Sequence, residues 1–201
     1  VWYDSRKVKG SREDLFLFYP ENKLLDYEGK DINAHPQFHI LGITSRLTAK
    51  ITAANILKAK STSVIEADFS GVSNFDINGF RLRHAFTRLN WQNDEMLIGQ
   101  YWHPLFTTDV VPDIASLNTG APFQPFIRNP QITYSRKINR FTIMLSAITQ
   151  RDNASAGPKG VNPVYMRNAI IPNLHTQIKF NHHNHMAGIG ADYKWIIPTN
   201  L

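Results

Sequence analysis

The sequence contains no cysteine, so it can form neither a disulfide framework nor a cysteine-based zinc site. Long apolar runs are missing as well. Polar residues interrupt every apolar stretch before the roughly 18 to 20 residues that a membrane-spanning helix needs, and the mean hydropathy is −0.31. The first residues, VWYDSRKVKG, lack the apolar region of a signal peptide, which is typical of a mature form or a fragment. The sequence therefore argues against a helical membrane protein.

Signatures of catalysis are also missing. The chain has no nucleophile elbow, no phosphate-binding glycine loop and no HExxH helix, and nothing marks any one pair of serine and histidine. We therefore expect no enzymatic activity and no cofactor. The group NHHNH, with His182, His183 and His185, raises a metal hypothesis, but its spacing matches no known ligand set and Asp192 is the only carboxylate nearby. We favour a polar turn here and predict no metal site.

The formal net charge of +6 allows nucleic acid, an anionic surface or anionic solutes as partners. The basic residues are spread over many segments and are not clustered with stacking aromatic residues, which argues against nucleic acid.

Apolar and polar residues alternate with a period of two along much of the sequence. In LGITSRLTAKI, residues 41–51, apolar residues from Leu41 to Ile51 share one face, while Arg46 and Lys50 lie on the other. SVIEADFSG, residues 63–71, repeats the pattern with Glu66 and Asp68 on the polar face. Later segments behave alike, which predicts an all-β antiparallel protein with about eight strands after residue 36 and one or two more in residues 1–19.

The stretch GFRLRHAFTRLNW, residues 79–91, places Arg81 and Arg83 on one face of a strand. The apolar residues Leu89 and Trp91 then fall on the same face as these arginines, which predicts a β-bulge near Thr87 and Arg88.

The connections alternate between short and long. Turns at 92–94, 137–139 and 181–185 are short, whereas 104–128 and 152–170 are long. Trp91, Phe141 and Phe180 lie beside the short turns, where an aromatic girdle would stand. This layout is typical of an outer-membrane barrel.

A soluble β-sandwich or lipocalin-like barrel alternates too, and remains the alternative, as does a surface component of an envelope complex. Lipid would impose a definite orientation. An arginine facing lipid at mid-depth costs about 2 to 4 kcal/mol, so Arg46, Arg81 and Arg83 would face an aqueous lumen.

The long stretch 103–128 is proline-rich and carries apolar residues, which predicts an ordered loop that either folds into the lumen or covers its mouth. We predict a pore-lining set with three roles: a cationic wall, counter-charges on the wall, and constriction-loop carboxylates. Its members are Arg46, Lys50, Arg81 and Arg83, then Glu66 and Asp68, then Asp109 and Asp113.

Three motifs resemble outer-membrane porins, in particular the DcaP-like trimeric porins: DINGFRLRHAFTRLNW (76–91), LIGQYWHPLF (97–106) and NTGAPFQPFIRNPQITY (118–134). The similarity covers about residues 30 to 197. It implies a homotrimer of barrels with about sixteen strands each, in the bacterial outer membrane, passing small and often anionic solutes. It also implies that loop 103–128 narrows the channel against Arg46, Arg81 and Arg83.

The chain departs from these porins in showing about ten strands at most and in ending WIIPTNL, without a terminal aromatic strand. We therefore expect one barrel domain over residues 1–201, incomplete as it stands, from the N-terminal part of a longer porin. The predicted function is passive diffusion of small hydrophilic solutes with a mild anion preference.

Overall fold

The protein is an all-β chain built around one eight-stranded antiparallel sheet, which confirms the predicted fold class. The structure, a computed structural model, describes residues 2–9, 19–40, 42, 45–76, 78–111, 127–150 and 154–199. The strands are β1 (Trp2–Asp4), β2 (Val8–Lys9), β3 (Tyr19–Pro20), β4 (Gln37–His39), β5 (Arg46–Ile56), β6 (Ala59–Asp68), β7 (Arg81–Asn90), β8 (Asp94–Trp102), β9 (Arg128–Ile138), β10 (Phe141–Ile148), β11 (Ala156–Gly157), β12 (Gly160–Val161), β13 (Asn173–His182) and β14 (His185–Tyr193).

Helical structure is minor. The α-helix α1 (Val164–Ala169) precedes β13, and two 3-10 turns cover Asn74–Asp76 and Thr108–Val110. Within the described part of the chain, no helix has the length and apolar character needed to span a membrane.

The main sheet follows the chain in strict order, from β5 at one edge through β6, β7, β8, β9, β10 and β13 to β14 at the other. Each strand pairs antiparallel with the next one along the chain, as Asp94↔Arg136 and Phe141↔Phe180 illustrate. Three short two-stranded sheets, β1–β4, β2–β3 and β11–β12, lie outside it. The eight long strands after residue 36 are those that the alternation predicts.

Short turns join the strands at one edge of the sheet, as predicted. In the two-residue turn Leu57–Lys58 both residues have positive φ, 52° and 65°, as a type I′ hairpin turn requires. Asn139 and His183 take the same left-handed conformation in the β9–β10 and β13–β14 turns, with φ of 52° and 50°. The connections from β6 to β7, from β8 to β9 and from β10 to β13 are longer.

On this sheet, apolar side chains are exposed on one face and polar side chains are buried on the other. Ile132 on β9 and Ile178 on β13 are 53% and 45% exposed, whereas the polar neighbours Thr133 and Gln177 are 7% and 9% exposed. Ile65 on β6 is 57% exposed, as the predicted orientation requires. A sheet of a soluble protein buries its apolar face and wets the polar one, so this sheet has the opposite character. Leu41 and Ile43, assigned to the same apolar face, lie outside the described residues.

The bulge predicted at Thr87 and Arg88 is wrong. Pairing of β7 with β8 runs without interruption from Ala85↔Gln100 to Asn90↔Glu95. Leu89 is instead buried within this regular part of the strand.

Gly99 of β8 lies opposite Phe86 and has φ of +126°. A Cβ atom at this position would stand 2.2 Å from the carbonyl oxygen of Ala85 and 2.7 Å from the Cα of Phe86. Both the backbone conformation and the close approach of β7 therefore require glycine.

By its contacts the chain divides into two compact units. The first comprises Val1–Leu47, Ala67–Arg81 and Asp109–Gln124, and the second Thr48–Glu66, Leu82–Thr108 and Pro125–Leu201. In the first unit, the Arg6 guanidinium lies 2.7 Å from Asp31, and its hydrogen bond holds the pKa of that carboxyl at about 2. The single barrel domain over 1–201 stays a prediction.

Candidate functional site

The polar face of the second unit is the candidate functional surface. Register places Thr133 of β9 opposite Ser146 of β10, and Ser146 opposite His175 of β13. All three side chains are buried, and Gln131 and Gln177 continue the same face along β9 and β13. Five polar side chains on three neighbouring strands are thus turned toward the covered side of the sheet.

Hydrogen bonds order this polar face. The Thr133 hydroxyl lies 2.7 Å from Oε1 of Gln131 and 2.8 Å from the hydroxyl of Ser146. Gln131 Nε2 donates to the carbonyl oxygens of Tyr101, at 3.1 Å, and Trp102, at 2.8 Å. A serine, a threonine and a glutamine side chain are therefore fixed in one network that reaches the end of β8.

Arg81 and Asp68, both in the first unit, form a two-point ion pair. Nε of Arg81 lies 3.0 Å from Oδ1 of Asp68, and its Nη2 lies 2.7 Å from Oδ2. Asp68 is only 1% exposed. Such a forked pair is the strong form of an arginine–carboxylate contact, and it neutralises both charges in place.

Arg83 and Glu66 form the corresponding pair in the second unit. Nε of Arg83 lies 2.7 Å from Oε1 of Glu66, and the Thr48 hydroxyl donates to Oε2 at 3.2 Å. The Trp102 ring lies beside two guanidinium groups, with ring-centre distances of 5.9 Å to Arg83 and 4.8 Å to Arg128. The Arg83 charge is therefore held between a carboxylate and an aromatic ring.

The remaining predicted site residues are placed as follows. Arg46 and Lys50 are exposed on the edge strand β5, and Asp109 is exposed in the 3-10 turn Thr108–Val110. Asp113 lies outside the described residues, as does most of the loop predicted to narrow the lumen. The structure thus brings together Arg81 with Asp68 and Arg83 with Glu66; the pore-lining role of all eight residues stays a prediction.

One carboxylate is shared by two imidazoles. Oδ2 of Asp192 lies 3.3 Å from Nε2 of His103 and 3.2 Å from Nδ1 of His175. The backbone N–H of Leu105 donates to Nδ1 of His103 at 3.2 Å, so Nε2 of that ring carries the proton given to Asp192. Burial lowers the pKa of His103, a shift that Asp192 partly opposes and that His175 and Lys194 reinforce.

The NHHNH group does form a short turn, with His182 paired opposite His185. Within the described ranges no three histidine or carboxylate side chains are grouped as a metal site would need. Asp192, the carboxylate considered for this group, belongs to the His103 and His175 cluster instead.

Comparison with known proteins gives a structural likeness. No protein-family model and no curated protein matches the sequence. The crystal structure of the outer membrane channel DcaP of Acinetobacter baumannii superposes on the chain with a TM-score of 0.61 and 21% sequence identity. The fold is porin-like. The match covers 82% of this chain and 45% of the channel, so the chain spans about half the length of that protein.

Several residues of this porin-like polar face were not found from the sequence. Gln131 and Thr133 alternate with the apolar Ile132, as a strand pattern requires, but no pattern in the sequence marks Ser146 as their neighbour. Trp102 and Arg128 stand at strand ends, and His103 follows a strand end with no pattern to mark it. Their neighbours are set by cross-strand register and by a long connection, which periodicity does not reveal.

Proposed function

We propose that this chain forms part of an outer-membrane β-barrel porin, related to the DcaP-like porins, that lets small hydrophilic solutes diffuse passively with a mild preference for anions. The observation that carries the proposal is the inverted exposure of the sheet, with isoleucines outside and a hydrogen-bonded polar face covered. The porin-like fold supports it.

The physics of the bilayer explains the arrangement. Hydrocarbon offers no hydrogen-bond partners, so every strand in it must be paired, and the strands beside β5 and β14 come from further parts of a barrel of about sixteen strands. Exposed side chains such as Ile132, Leu145 and Ile178 then meet acyl chains. Solutes move along the opposite face, where hydroxyl, amide and imidazole groups replace part of their hydration.

The proposal includes a trimer in the outer membrane, no enzymatic activity, and a lumen narrowed by the loop 103–128. The paired residues Arg81, Asp68, Arg83 and Glu66 would form a rigid, nearly neutral section of the wall, because each cation has its own carboxylate.

Planar bilayer recording of the purified protein tests the proposal. We expect stepwise, ohmic conductance increments that scale with the conductivity of the bathing salt, and extraction from membranes only with detergent. Recovery in the aqueous fraction without detergent, or an electrically silent protein in bilayers, would overturn it in favour of a non-enzymatic binding protein.

A further inference from the structure

Positive charge is concentrated at the short-turn edge of the sheet. We define the turn edge as residues 57–60, 88–95, 136–142 and 179–187. Seven of the chain's 22 lysine and arginine residues lie there against two of its 16 carboxylates, while the whole chain carries +6. The cations are Lys58, Lys60, Arg88, Arg136, Lys137, Arg140 and Lys179, and the carboxylates are Asp94 and Glu95. This edge therefore holds most of the net charge.

Both carboxylates of the turn edge already have partners. Asp94 accepts the Tyr134 hydroxyl and lies 3.4 Å from Arg136, and Glu95 lies 3.5 Å from Arg88. Among the described residues, no ion pair engages Lys58, Lys60, Lys137 or Arg140. Arg81 and Arg83, by contrast, are each paired with a carboxylate, Asp68 and Glu66.

Register decides which face these cations occupy. Lys137 lies opposite Thr142, and Thr142 lies opposite Lys179, so the two lysines stand on one face with β10 between them. Strand alternation places Lys137 on the face of Thr133, and Lys179 on the face of His175 and so on the polar side. Arg136, one residue before Lys137, points to the apolar side, opposite Ile143.

The exposed Arg140 of the β9–β10 turn lies three residues after Lys137, so at most about 10 Å of chain separates the two residues. This is about the Debye length at 0.1 M salt, so their fields overlap in dilute salt.

We propose that Lys137 and Arg140 form an anion-collecting mouth at the turn edge, which concentrates small anions before they enter the polar passage. The inference rests on the proposed channel function and names a part of it: the anion preference comes from this edge and not from the paired Arg81 and Arg83. Lysine ammonium groups act as compact point charges without a preferred bidentate geometry, so the mouth suits small anions as a class, chloride and simple carboxylates included.

A charge deletion with a matched control tests the mouth. Lys137→Gln and Arg136→Gln each remove one charge from neighbouring positions of β9, on opposite faces. From the reversal potential in a KCl gradient near 0.1 M, we expect the chloride-to-potassium permeability ratio to fall by about twofold in Lys137→Gln, and further with Arg140→Gln added. Arg136→Gln should leave the ratio unchanged, and near 1 M salt, where the Debye length is about 3 Å, the difference should vanish.

Chemical modification of a single cysteine changes the charge after the channel has formed, so folding is no longer a variable. The modification is specific because the chain has no other cysteine. In Lys137→Cys, a cationic methanethiosulfonate reagent applied to the open channel should raise the anion preference, and an anionic one should lower it.

The outcomes separate the two proposals. Conductance with equal ratios in Lys137→Gln and Arg136→Gln, or with no response to either reagent, overturns the mouth and leaves the channel standing. A folded protein without conductance overturns both.

Discussion

The Arg83–Glu66 pair gives a sharp prediction for stability. Replacing Glu66 by Gln leaves the guanidinium, whose side chain is only 9% exposed, without its carboxylate at 2.7 Å. Breaking one partner of a buried pair costs about 3 to 5 kcal/mol. Glutamine still offers an acceptor oxygen, so we expect a value near the lower limit, about 3 kcal/mol, for Glu66→Gln. Arg83→Gln leaves a carboxylate that is 16% exposed and keeps the Thr48 hydroxyl, and should cost about as much.

The double variant Arg83→Gln with Glu66→Gln removes both charges and should cost no more than about 1 kcal/mol, which gives a coupling energy well above 2 kcal/mol. Urea unfolding in lipid vesicles, followed by tryptophan fluorescence, measures all three variants, since Trp102 lies beside Arg83. Arg136→Gln, at a site 55% exposed, serves as the control and should change stability by less than about 1 kcal/mol. Additive single effects, or single variants as stable as the wild type, would show that the pair does not form.

Three further predictions concern other parts of the second unit. Burial lowers the pKa of His103 in the folded chain, so the unfolded chain takes up the proton first: the urea midpoint should be constant well above the ordinary pKa of 6.5 and fall as the pH drops below it; His103→Gln should flatten this slope, and an unchanged slope would contradict the burial argument. Gly99→Ala should destabilise the protein by about 3 kcal/mol or prevent assembly, whereas Gly188→Ala, where the nearest atom to an added Cβ is 3.2 Å away, should cost about 1 kcal/mol or less in the same unfolding assay. Ile132→Arg should cost about 2 to 4 kcal/mol in lipid vesicles if that face meets acyl chains; a change below about 0.5 kcal/mol would indicate a face in water.

The sequence predicts the sheet and its facing because both follow from local alternation. Ile65 and Glu66 are neighbours on β6, and their opposite exposure needs nothing beyond the pleat of the strand. The positions of the short turns follow likewise from interruptions in the pattern, as at Asn139 and His183.

What the sequence does not predict depends on register. Alternation shows that Arg81 and Asp68 share a face, but only the alignment of β6 with β7 decides that they meet. The same limit hides the cluster of His103, His175 and Asp192, which joins the residue after β8 to two strands far along the chain. The apolar Leu89 and Trp91 predict a bulge at Thr87 and Arg88, but the pairing of β7 with β8 is continuous there, because an apolar side chain can also lie on the polar face, as the buried Leu89 does.

Site-directed spin labelling along β13 in lipid bilayers tests the central claim most directly, because each single cysteine would be unique in the chain. We predict that labels at Leu174, Thr176 and Ile178 collide with dissolved oxygen as lipid-facing positions do, while labels at His175, Gln177 and Lys179 are shielded from lipid and collide with a water-soluble nickel complex wherever they are accessible. A reversed pattern, or equal access of the nickel complex to both faces, would contradict a sheet that turns its apolar side to lipid and its polar side to a passage.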